Sequence, residues 1–341
     1  MGYNSFEQIT RRYPMKTVNI GLLGLGNIGT GTYKTLEMNR DQIESFSGLD
    51  LRITRILEKD TARKRDITVS AGQFTQDPQE IFRDPSIQVV IELLGGIEPA
   101  TSFMLEAMKN GKSVVTANKA AVAANYHILT QTAKENNVLF RFEASVGGGI
   151  PILNALTTVL QANQFEEILG ILNGTTNYIL TQMTEYGLAY EDVLKVAQEK
   201  GFAEADPTAD VEGYDVANKL TILMALAFDK YVAPSEIPTV GITGITLAQI
   251  EEAKKRGNKI KLIASAKKDG DQIIYGVKPM ELPESHPLAG VSNEFNAIFV
   301  RGNAVDELMF YGKGAGPLPT GSAVMGDVLQ IARTLIERNA I

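Results

Sequence analysis

The chain has 341 residues with 33 Lys and Arg against 40 Asp and Glu, a formal net charge of −7. That length suits about two domains with a core large enough to stand without crosslinks, and the acidic balance argues against a grip on nucleic acid or an anionic membrane, which points to a small-molecule partner. Cysteine is absent and the only histidines are His127 and His286, so disulfides, thiolate metal sites and mechanisms through a cysteine thioester are excluded.

Residues 1–14 carry Arg11, Arg12 and Pro14 ahead of the first patterned segment and read as an N-terminal extension. No stretch approaches eighteen apolar residues, and the start of the chain lacks a basic region followed by an apolar run, so the expected location is the cytoplasm. The apolar run 18–23 predicts a strand. It leads into Gly24-Leu25-Gly26-Asn27-Ile28-Gly29 and a helix from about residue 30 to 38. Strand, glycine loop and helix in that order are the context of a dinucleotide fingerprint. The first glycine permits the tight turn, the second lets a pyrophosphate approach the backbone, and the third allows helix to pack on strand. Gly24, Gly26, Asn27, Ile28 and Gly29 are the cofactor candidates; a glycine-rich turn without a nucleotide is the alternative.

Strands are expected at 51–57, 88–93, 113–116 and 138–143, separated by helices at 99–110 and 120–136. Alternation of this kind makes an α/β fold, a Rossmann-type doubly wound parallel sheet. After the second strand, Glu58, Lys59 and Asp60 precede Arg63-Lys64-Arg65. An acid there would bond a ribose 2′-hydroxyl and a cation would take the 2′-phosphate of NADP. Both are present; the basic run favours NADP over NAD, unless it is only the solvated start of a helix.

From Gly147-Gly148-Gly149 onward the pattern changes to helices at 151–160, 176–186, 190–200 and 211–228, then strands at 260–266, 272–279 and 297–302, and a last helix at 321–338. The change of pattern marks a domain boundary, with a nucleotide-binding unit expected over 15–146 and about 318–341, the last helix packing back on the first unit, and an α+β unit over 147–317. Between 204 and 219, five carboxylates (Glu204, Asp206, Asp210, Glu212, Asp215) accompany Lys219. Asp215 and Lys219 are four apart and share a helix face, which alone could be a surface ion pair. The apolar run that follows buries that helix, and a half-buried lysine beside acids is a candidate proton donor.

The stretch 197–219 resembles the signature of homoserine dehydrogenases, which interconvert aspartate semialdehyde and homoserine with a nicotinamide cofactor. Ordered segments agree from about residue 15 to the end: the glycine fingerprint, residues 92–100, Thr116-Ala-Asn118-Lys119-Ala120, residues 145–151, Leu172-Asn173-Gly174-Thr175-Thr176-Asn177-Tyr178, residues 286–289 and residues 314–322. The resemblance implies Lys219 as proton donor with Asp215 beside it, Lys119 at the nicotinamide end, and Glu204 holding the substrate ammonium with Asp210 nearby. Asn173, Gly174 and Thr176 would shape the substrate pocket and Gly316 would contact the cofactor. It also implies a Na⁺ or K⁺ site at Glu143, Val146, Gly148 and Ile150, built mainly from carbonyls, and a homodimer or homotetramer paired near residues 285–318. Glu58-Lys59-Asp60 stands where many members carry Val-Arg-Asp, which leaves Lys59 as the phosphate contact, and the chain has no room for the regulatory domain that some members append. A nucleotide sensor that kept the fold and lost catalysis is the alternative, against which the retention of both Asp215 and Lys219 speaks.

Overall fold

The computed structural model describes residues 15–338 and 341. Apolar, β-branched runs become strands buried on both faces, as the central strands of a parallel sheet must be. β1 (Lys16–Leu23), β2 (Leu49–Leu57), β3 (Phe74–Thr75), β4 (Ile87–Glu92), β5 (Ser113–Thr116) and β6 (Phe140–Arg141) form one sheet in the order β3-β2-β1-β4-β5-β6, and every pairing is parallel. Val18, Ile20 and Leu22 of β1 are fully buried. The chain leaves β1 for β2 on one side and returns to β4 on the other, so a crevice opens at the carboxyl ends of β1 and β4.

The second sheet is antiparallel. β7 (Phe165–Ile171), β8 (Asn258–Asp269), β9 (Gln272–Pro283), β10 (Phe295–Gly302) and β11 (Asp306–Lys313) lie in the order β11-β10-β7-β8-β9. Against it pack the helices Gly174–Tyr186, Tyr190–Glu199 and Tyr214–Ala227, whose Ile179, Val193, Leu220 and Leu223 share one core with Ile168, Leu262 and Ile298.

Three local outcomes differ from the sequence expectation. Residues 151–160 do not form one helix: a short turn, Ile152–Asn154, passes into a π-helical turn, Ala155–Val159. The helix expected over 211–228 is broken at Gly213, whose φ of +85° stops the turn Thr208–Val211 and restarts the chain as Tyr214–Ala227. β7 and β11 were not expected at all, although β7 is the central strand of its sheet. Glu166 and Glu167 interrupt the apolar run that would have marked it.

The helix Pro317–Glu337 returns to the first sheet. Val324, Met325, Val328 and Ile331 join Val18, Ile20 and Leu22 in one core. It can approach the helix Asn27–Met38 because glycine stands at the crossing on both sides: a Cβ on Gly31 would overlap the carbonyl of Pro317, and one on Gly321 would lie 2.8 Å from the carbonyl of Gly31.

Candidate active site

A cleft of about 1320 Å³ runs from the glycine loop to the helices of the second sheet. At its nucleotide end two of the three fingerprint glycines, Gly24 and Gly29, stand where a side chain would not fit. Gly24 has a φ of +93°, where a side chain would be strained. A Cβ on Gly29 would overlap the carbonyl of Gly24, whereas around Gly26 the corresponding space is open. Gly26 precedes the helix Asn27–Met38, which has no side-chain cap, so the first-turn N–H groups are available to an anion, and Asn27 and Thr30 line the cleft beside them. Ile28 lies in that first turn, and Gly316 lines the opposite side.

Glu58, at the end of β2, accepts the Leu25 N–H at 3.0 Å and pairs with Arg65 at 3.0 Å, and Arg65 Nε donates to the Leu25 carbonyl at 2.8 Å. The acid that could have met a ribose is thus engaged in bracing the glycine loop. Arg63, Lys64 and Arg65 line the cleft together with Lys34, which pairs with Asp66. Lys59 is exposed at the strand end, outside that lining.

The opposite end centres on Asp215. The apolar sequence after it buries the helix Tyr214–Ala227, and the helical spacing brings Lys219 Nζ to 2.8 Å from Asp215 Oδ2. The same ammonium donates to the Leu172 carbonyl at 2.6 Å. Lys119, first residue of the helix Lys119–Glu135 after β5, reaches across from the first sheet and places Nζ 3.0 Å from Asp215 Oδ1. Asn173 closes the cluster: its Oδ1 accepts the Thr176 N–H at 2.9 Å as helix cap, while Nδ2 donates to Asp210 at 2.7 Å and to Asp215 at 3.0 Å.

Burial alone would raise the Asp215 pKa, but Lys219 and Lys119 outweigh it and hold the carboxyl well below its ordinary range. Asp215 in turn raises Lys119 against the opposing effect of burial. Asp210 moves up, first through burial and then through repulsion by Asp215. Two ammonium groups thus flank one carboxylate on the cleft wall, where a charged donor can meet a developing alkoxide.

Lys119, Asn173, Gly174, Glu204, Asp210, Asp215 and Lys219 thus line one space, although they come from three separate stretches of chain. Thr176 stands behind Asn173, with Oγ1 3.1 Å from Asn173 Oδ1. Glu204 is exposed on its loop. Sequence reasoning missed the Leu172 carbonyl, which no side-chain signal could mark, and Glu294 and Asn296, which enter the lining at the start of β10.

The four proposed cation ligands fall in the turn that joins the two sheets. Both Glu143 carboxylate oxygens accept backbone N–H groups, from Leu153 at 2.8 Å and Asn154 at 2.6 Å. Gly148 has a φ of +57° and sits against the Gly314 carbonyl, so this turn, which also contains Val146 and Ile150, touches the segment leading to Gly316.

A family model described as homoserine dehydrogenase, NAD binding domain, matches residues 24–143, and one described as homoserine dehydrogenase matches residues 151–329. The homoserine dehydrogenase of Bacillus subtilis is 43% identical over 321 residues, 94% of this chain and 74% of its own; that of Neisseria gonorrhoeae is 44% identical over 319 residues, 94% of this chain and 73% of its own. The crystal structure of a homoserine dehydrogenase from Thiobacillus denitrificans superposes with a TM-score of 0.89 at 41% identity, covering 95% of this chain and 75% of that one. A hyperthermophilic archaeal homoserine dehydrogenase in complex with NADPH gives 0.76 at 27% identity, covering 93% and 98%.

Proposed function

The chain belongs to the homoserine dehydrogenase family, and from that premise we propose that Lys219 is the proton donor and acceptor in the exchange between L-homoserine and L-aspartate 4-semialdehyde. The protein is an NAD(P)-dependent oxidoreductase of amino-acid biosynthesis with an α/β Rossmann-type domain. The nicotinamide, when bound, supplies or accepts the hydride exchanged at the substrate carbon.

What carries the residue assignment is the Lys219–Asp215–Lys119 cluster on the cleft wall. An ammonium has three donors. Two of those on Lys219 are taken by Asp215 and Leu172, which leaves one for an oxygen in the cleft. Protonation of the alkoxide by Lys219 completes reduction of the aldehyde, and the reverse transfer begins oxidation of the alcohol. Asp215 orients Lys219 and Lys119 together, and Lys119 stabilises charge at the nicotinamide end. Glu204, with Asp210, holds the substrate ammonium, which separates amino acids from plain aldehydes. Asn173, Gly174 and Thr176 shape the pocket through the start of the helix Gly174–Tyr186.

Gly24, Gly26, Asn27, Ile28 and Gly29 hold the pyrophosphate, with Gly316 on the other side. NADP is the preferred cofactor in this reading: Glu58 is occupied by Leu25 and Arg65, and Arg63 and Lys64 line the cleft where a 2′-phosphate would meet cations. Lys59, exposed beside them, would add only longer-range attraction. A Na⁺ or K⁺ ion at Glu143, Val146, Gly148 and Ile150 fits as a main-chain carbonyl site, because the Glu143 carboxylate already accepts two N–H groups. Exposed Met309 and Tyr311 on β11 support pairing of two copies through the segment 285–318. The same reading has the enzyme work in the cytoplasm.

The test is steady-state oxidation of L-homoserine by wild type and Lys219→Met. The variant is expected to lose about 10²–10⁴-fold in kcat while its NADPH Kd, measured by fluorescence titration, changes little. An unchanged kcat removes Lys219 from the proton-transfer role.

A further inference from the structure

Lys261 lies in the middle of β8 on the side of the sheet that carries Ile263, and it is 3% exposed. Its neighbourhood is apolar, with Leu282, Leu288 and Val291 in the adjoining cluster. No acid pairs with it among the described residues; its ammonium donates to Asn177 Oδ1 at 3.0 Å and to the Val291 carbonyl at 2.6 Å. Isolated burial of a lysine is expensive, and a Met or Leu would suit this apolar surrounding. What the ammonium adds is direction.

That direction leads to the substrate end of the cleft. Asn177 stands in the first turn of the helix Gly174–Tyr186. Its Nδ2 donates to the carbonyls of Val291 at 3.2 Å and Phe295 at 3.0 Å. Lys261 fixes the opposite end of the same amide, so the amide cannot flip without losing donors on one side and acceptors on the other. The segment held in this way carries Glu294 into the cleft lining, and the Glu294 carbonyl lies 2.7 Å from the position a Cβ on Gly174 would take. Two walls of the pocket, the helix start at Gly174 and the strand start at Glu294, therefore meet at a spacing set from behind by one buried amine.

We propose that Lys261 is a positioning residue for substrate binding, acting through Asn177 to seat Glu294 against Gly174. This rests on the assignment of that end of the cleft to homoserine. The experiment compares wild type, Lys261→Met, Asn177→Leu and the double variant by steady-state kinetics with L-homoserine, and by fluorescence titration with NADPH. Lys261→Met is expected to raise the homoserine KM about tenfold, with kcat within about threefold and the NADPH Kd within about twofold. The double variant should be no worse than the poorer single one, because both act through the same amide. Lys261→Gln, which retains an N–H donor, should fall between wild type and Lys261→Met, and it serves as the test if the Met variant does not fold. An unchanged homoserine KM in a folded Lys261→Met or Lys261→Gln, a parallel rise in KM and NADPH Kd, or additive effects in the double variant would each overturn the proposal. Failure of the Lys219 assignment reads out differently, as an undiminished kcat in Lys219→Met.

Discussion

Asp215 is the residue on which the site turns. It shares its two oxygens among Lys219, Lys119 and Asn173, and it is buried and yet ionised because two cations offset the loss of water. Lys261 presents the opposite balance. Burial, aided by Lys259 and opposed by Glu185 on the facing helix, depresses its pKa from 10.5 to about 8. Between those values the unfolded chain binds more protons than the folded one. The stability contributed by this group therefore rises as pH climbs through that window and is lost as pH falls through 8. The neutral amine still has two N–H donors, enough for Asn177 and Val291, so the contacts survive deprotonation. The melting temperature of wild type minus that of Lys261→Met should accordingly increase between pH 8 and pH 10. A difference that stays flat over this range would mean that residue 261 does not carry a destabilised buried cation. Arg63 and Lys64 act at the same scale. Replacing both with Ala is expected to raise the NADPH KM about tenfold, in line with the loss of a charge-assisted hydrogen bond, and to leave the NADH KM nearly unchanged. Equal movement of the two KM values would assign these side chains to general attraction of the dinucleotide.

At the scale of elements, the unit formed by β1, the glycine loop and the helix Asn27–Met38 was legible in the sequence, because strand, glycine spacing and helix lie in one contiguous stretch and Gly24 and Gly29 answer steric demands that a pattern can state. Gly29→Ala would drive a methyl group into the Gly24 carbonyl. Overpacking of this kind costs about 1–3 kcal/mol, and the turn that must yield is the one that receives pyrophosphate. Titration should show weaker NADPH binding together with a lower melting temperature; a variant with wild-type NADPH affinity would show that the loop adapts without consequence. Elements governed by tertiary contacts were harder to read. The two glutamates near the start of β7 hide a central strand, and the π-helical turn after Ile152 follows a periodicity that looks like ordinary helix. Gly213 was visible in the sequence, but its role as a break became clear only from its φ of +85° beside Thr239 and Val277.

For the whole molecule, the cleft is a product of assembly. Lys119 comes from the parallel sheet and Lys219 from the second core, and they meet on one carboxylate only because the two sheets close on each other. The helix Pro317–Glu337 supports that arrangement by running from the cleft edge at Gly316 back into the first core, through the glycine crossing at Gly31 and Gly321. The sequence by itself determined the nucleotide fold, the acid-rich segment that ends in Lys219 and the resemblance to homoserine dehydrogenases, since all three lie in contiguous stretches whose spacing carries their chemistry. Only the tertiary structure decided that Glu58 is spent on the glycine loop, that the Leu172 carbonyl takes one of the Lys219 protons, and that Lys261 stands behind the substrate wall. Those are contacts between residues 33 to 84 positions apart, and no local pattern records which distant backbone or amide a buried charge will find.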